Sequence, residues 1–158
     1  GSVQVPLVPK SEAEKVIVSK AVLTVKGSYD KARPEAETWY KDAKLVFIKS
    51  LGAITLEGKS SQWQLAFSSK LKPKKGYEII IQEDKIVSKK EIDSTAVGAD
   101  VPKNFPDRDA DWAIKQLAIN PQFQTASISS IAFTYNYDGN AWDYIIVNSF
   151  GNSAIRVR

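Results

Sequence analysis

The sequence predicts an α+β fold of two tandem units, each a helix packed on a three- to four-stranded antiparallel sheet. Three observations carry that prediction. Two stretches read as helices, 30–43 from Pro34 and the acidic residues near its start and DADWAIKQLA (109–118) from its apolar spacing, and each is followed by short runs that alternate apolar and polar residues. The four tryptophans fall into matched pairs: Trp39 and Trp112 in the helical stretches, Trp63 and Trp142 at the heads of QWQLAFSS and AWDYIIVNS. Between the halves lies DSTAVGADVPKNFP, which is full of turn residues and has no period. The expected organisation is a tag scar and tether at 1–14, a first unit at 15–92, a linker at 93–106 and a second unit at 107–158.

The elements follow in order. Gly1-Ser2 reads as a cloning scar and VQVPLVPKSE as an extended, Pro-containing tether. The β-branched run VIVSKAVLTVKG (16–27) reads as a strand ending at Gly27. DKARPEAETWYKDA (30–43) reads as a helix with Pro34 in its first turn. AKLVFIKSL then turns β-like, with Leu45 and Phe47 sharing a face, and WQLAF places Trp63, Leu65 and Phe67 on one face. YEIIIQ and KIVSKKEI flank Glu83-Asp84 as a hairpin. In the second half Ile114, Leu117 and Ala118 sit at helical spacing, and Pro121 either ends that helix or bends it. SISSIAFTYNY, Asp138-Gly139, AWDYIIVNSF, Gly151-Asn152 and SAIRVR then read as strands joined by turns.

Composition narrows the chemistry. The 158 residues contain no histidine and no cysteine, which removes the commonest general base, the thiolate nucleophile and the usual zinc ligands. No run approaches the ~18 apolar residues of a membrane span. The net charge of +4 is uneven. Residues 1–80 hold 14 Lys/Arg against 8 Asp/Glu, and residues 81–158 hold 8 against 10. A basic first half suits an acidic partner, an anionic cell-wall polymer or a lipid surface. Asp107, Asp109 and Asp111 mimic the start of a calcium loop, but Trp112 stands where that loop needs glycine and Ala118 where it needs a bidentate carboxylate. Helix capping is the better account of them. No metal site and no cofactor are expected.

The stretches WYKDAKLVFI (39–48), WQLAF (63–67) and GYEIIIQEDKIV (76–87), with DADWAIKQLA (109–118) and AWDYIIV (141–147), together resemble the PepSY-like group of bacterial extracytoplasmic domains. The resemblance covers about residues 29–92 and 106–158. It departs from the group's pattern at Glu83-Asp84-Lys85, where an acidic residue and a glycine usually join the last strands. It implies an exported, non-catalytic module that modulates a peptidase or a cell-envelope partner, and it transfers no site residue.

The candidate binding residues therefore come from the pattern itself. Lys72, Lys74 and Lys75, with Lys70, form the dense basic cluster. Gln62 and Gln64 in the first half, with Asp143 and Ile145 in the second, fall on strand faces opposite the apolar ones. The tryptophans are expected mainly in core packing. The expected function is a non-catalytic extracytoplasmic interaction or inhibitory module. Alternatives are a structural component of the cell surface and, third, an enzyme of unrecognised type. The expected partner is a protein or an anionic envelope polymer. Nucleic acid is disfavoured because the aromatics lie on core-facing sides, and a membrane is expected only through a removed N-terminal anchor.

Overall fold

Thr24 starts a helix where the β-branched run was expected to remain a strand. The computed structural model describes residues 5–6 and 22–158; the expected scar, most of the tether and residues 16–21 of the expected first strand lie outside them. Helix α1 spans Val25–Trp39, and the Thr24 hydroxyl accepts from the Gly27 N–H as its N-cap. It buries Val25, Ser28, Ala32 and Ala36, a spacing of three and four that sets one small-residue face on the sheet. Pro34 lies inside α1, not in its first turn. Its missing N–H is tolerated because Pro34 is on the exposed side, where water reaches the carbonyl it leaves free.

Seven strands follow the expected runs: β2 (Lys44–Ser50), β3 (Gln62–Ser68), β4 (Lys75–Gln82), β5 (Lys85–Asp93), β6 (Ser127–Asn136), β7 (Ala141–Asn148) and β8 (Gly151–Arg156). A two-residue β1 (Val5–Pro6) pairs with the start of β6. Helix α2 spans Ala110–Ile119, so of the two outcomes open at Pro121 the helix ends and does not bend. Asp109 caps it, accepting from the Ala110 N–H. The same carboxylate accepts from the Lys26 N–H and the Thr24 hydroxyl, so one side chain ties together the N-termini of both helices. The Glu83-Asp84 turn joins β4 to β5, with Glu83 in the left-handed region at φ 59°.

The two separate helix-on-sheet units are not found. The first strands of the two halves, β2 and β6, pair antiparallel through Phe47↔Thr134, Ile48↔Phe133 and Lys49↔Ala132. The result is one antiparallel sheet in the order β5-β4-β3-β2-β6-β7-β8, with two helices on it. The cause is edge satisfaction: two separate sheets would each leave a row of unpaired backbone groups beside an apolar face. Directly paired residues share a face. The row Ile79, Leu65, Ile48, Phe133, Tyr144 and Ile155 therefore runs unbroken across six strands. One hydrophobic cluster draws on both helices and all of these strands.

A second correction concerns β2. Leu45 and Phe47 were expected on one face, but the register shifts between them. This bulge turns Leu45 and Ile48 inward and leaves Phe47 half-buried on the outer face. Trp63 and Trp142 are buried, and each indole N–H meets a backbone carbonyl ahead of a helix: Trp63 that of Leu23, Trp142 that of Asp100. Trp39 is half-buried, stacked on Tyr77 at 5.1 Å and donating to Glu91.

Candidate functional site

Antiparallel register gathers several connections at one end of the sheet. The α1–β2 turn (40–43), the β3–β4 loop (69–74), the β5–α2 connection (94–104), the β6–β7 turn (137–140) and residues 157–158 all emerge where β2, β4 and β7 begin. These connections, 40–43, 69–74, 94–104, 137–140 and 157–158, hold six Lys/Arg and three Asp. The connections at the other end, 51–61, 83–84, 119–126 and 149–150, hold one Lys and three Asp/Glu. The basic excess seen in the sequence is thus concentrated on one end.

That end is built rigidly. The Asp42 carboxylate accepts from the Ser69 hydroxyl at 2.6 Å and from the Lys70 N–H at 3.1 Å. These bonds hold its carboxyl below the usual carboxylate range, the Ser69 bond contributing most. They also fix the start of the β3–β4 loop, which closes through Lys72 N–H to Ser69 C=O and Lys75 N–H to Lys72 C=O. The β5–α2 connection is tied across the same strands. Gly98 N–H donates to the Ser68 hydroxyl at 2.7 Å, and Ala99 N–H to the Leu45 carbonyl at 3.0 Å. Between these segments lie a recess of about 210 Å³ bordered by Lys70, Lys72, Pro73, Ala96 and Val97, and one of about 250 Å³ between α1 and the connection.

The lysines differ in their engagement. Lys72 pairs with Glu91 at 3.2 Å and Lys75 with Asp93 at 2.5 Å, and each pairing raises the ammonium pKa. Lys44 pairs with Asp100. Lys41, Lys70, Lys74 and Lys103 have no ion-pair partner among the described residues. Two aliphatic side chains in the connections of this end are exposed: Leu71 is 72% exposed and Val97 60%. Tyr137, 54% exposed, packs edge-on against Tyr135, which with Lys44 and Lys70 borders a neighbouring recess.

The sequence-predicted residues separate onto two surfaces. Lys72, Lys74 and Lys75 lie together at the basic end. Gln62, Gln64, Asp143 and Ile145 lie on the sheet face away from the helices. Gln64 and Ile145 share one row through Lys49 and Ala132, three strands apart, or about 14 Å. Gln64 is bonded to Glu78, and Asp143 receives Arg156 at 2.9 and 3.2 Å and Asn136 at 3.3 Å. These polar groups are thus partnered within the sheet. Leu71 and Val97 were missed from sequence. Their signal is weak: single apolar residues in turn-rich stretches, with no periodic partner to mark them.

Among the described residues no cluster of three Asp or Glu side chains is placed to hold a metal, and no helix is long and apolar enough to cross a membrane. No protein-family model matches the chain, no curated protein matches it, and no solved structure matches it.

Proposed function

We propose that the chain is a non-catalytic interaction module of the cell envelope, and that its basic end is the surface that binds an anionic partner. The observation that carries this reading is that Lys41, Lys70, Lys74 and Lys103, without ion-pair partners among the described residues, lie in the connections of the end that exposes Leu71 and Val97. Rigid loops present these cations without needing to be ordered on binding, which lowers the entropic cost of recognition. Three carboxylates have structural partners: Asp109 caps α2 and ties it to α1, Asp42 braces a loop and Asp143, half of the Asp138–Asp143 pair, is paired with Arg156. The envelope location rests on the PepSY-like resemblance and the tether-like opening of the sequence.

The test is fluorescence anisotropy with labelled polyglutamate. Wild-type chain should bind at low salt and weaken steeply as salt rises from about 50 to about 200 mM. Lys70→Glu with Lys74→Glu should weaken binding by about tenfold or more. Lys59→Glu, at the opposite end, should leave it unchanged. Equal loss from both variants would refute the reading, as would a wild-type chain that binds neither polyglutamate nor an anionic surface.

A further inference from the structure

We propose that the basic end docks on an anionic lipid bilayer, with Leu71 and Val97 entering the headgroup region and Lys70 and Lys74 meeting lipid phosphates. This rests on the reading of that end as the binding surface and names its partner. Charge complementarity is the first argument. The connections at this end carry a cationic excess, while the loops opposite carry an acidic one. Juxtamembrane lysines are drawn to anionic leaflets in this way.

The second argument is the kind of apolar residue displayed. A soluble polyanion offers nothing to an aliphatic side chain, whereas sugars and bases are gripped by stacked aromatic rings. Leu71 and Val97 cannot stack, and a hydrocarbon boundary is the phase that rewards their burial. Tyr137, half-exposed at the same end, is of the residue type that settles at headgroup level.

The third argument is presentation. Leu71 lies between Lys70 and Lys72 in a loop whose start is fixed by Asp42, so it is held outward in the native state. Val97 borders the same recess as Lys70, Lys72 and Pro73. The two most exposed large apolar residues at the other end, Ile119 and Phe150, have no cation in their loops, whereas the less exposed Leu51 shares its loop with Lys59. They serve as the internal comparison.

The chain has no cysteine, so a single introduced thiol labels one position. Leu71→Cys and Phe150→Cys, each carrying an environment-sensitive dye, are mixed with phosphatidylcholine vesicles with and without about one third phosphatidylglycerol. The dye at position 71 should shift to the blue with the anionic vesicles alone, and salt should reverse the shift. The dye at position 150 should not respond. Unlabelled Leu71→Ser with Val97→Ser should sediment with anionic vesicles about tenfold less tightly than wild type. Both positions are exposed, so circular dichroism should show an unchanged fold. Binding to polyglutamate but not to anionic vesicles overturns the bilayer proposal and leaves the anionic-partner reading standing. Vesicle binding with the dye responding at 150 and silent at 71 overturns the proposal as well. Binding to neither probe removes both.

Discussion

Asp143 projects from the outer face of β7 yet is almost fully buried, because Arg156 of β8 lies over it. The Arg156 hydrogen bond is the main cause that holds its carboxyl below the usual range, with Asn136 adding to it. The folded pKa is therefore lower than the unfolded value of about 3.9. The pair's contribution is fully present above that value and is lost as pH falls through the lower folded pKa. Asp143→Asn should destabilise the protein by about 1 kcal/mol at neutral pH. Urea unfolding should show the gap to wild type closing below about pH 4. A gap that stays constant down to about pH 2 would disprove a charge-dependent role. At this scale the sequence was legible where a side chain's face decides its fate. Alternation put Trp63, Leu65 and Phe67 inward, and all three are buried. It also put Asp143 outward, but it could not show that Arg156 would arrive beside it, since that depends on strand pairing.

The elements show where local signals compete. Helix α1 was legible from Asp30 to Trp39, and the expected helix over 30–43 ran four residues past its end. Its first turns were not, because Val22, Leu23, Thr24 and Val25 continue a β-branched run. The deciding features were the Thr24 cap and the Ser28, Ala32 and Ala36 face, whose small side chains give little hydrophobic signal. The β5–α2 connection shows a tighter constraint. A side chain at Gly98 would run into the backbone carbonyls of Lys44 and Leu45. Gly98→Ala should therefore lift the connection from β2 and break the Ala99–Leu45 hydrogen bond. The expected cost is about 2–3 kcal/mol, read from the urea midpoint. A loss of under about 0.5 kcal/mol would mean that the connection shifts freely and does not brace the basic end.

At the scale of the molecule, the β2–β6 seam decides what kind of object this is. Sequence alternation reports which face of a strand is apolar; it does not report which strand lies beside it. The seam is made by backbone groups that every residue carries, so two tandem units and one continuous sheet are written in nearly the same pattern. The structure joins the halves with hydrophobic contacts as well as the ladder. Phe105, in the single 3-10 turn just before α2, stacks on Phe133 at 4.7 Å and also meets Tyr29 of α1 at 5.9 Å. Ser50 accepts from the Ile131 N–H where β2 ends. Cutting the chain between the halves would strip β2 and β6 of their partners and open Ile48, Phe133 and Phe105 to water, leaving each half with too little buried core for its length. Intact protein should therefore unfold in urea in one transition, with tryptophan fluorescence and circular dichroism coinciding. Fragments 1–98 and 99–158 made separately should each lack a cooperative transition, and mixing them should restore it. A fragment that folds alone, or two resolved transitions in the intact chain, would show that the halves are independent and that the seam is only a contact between them.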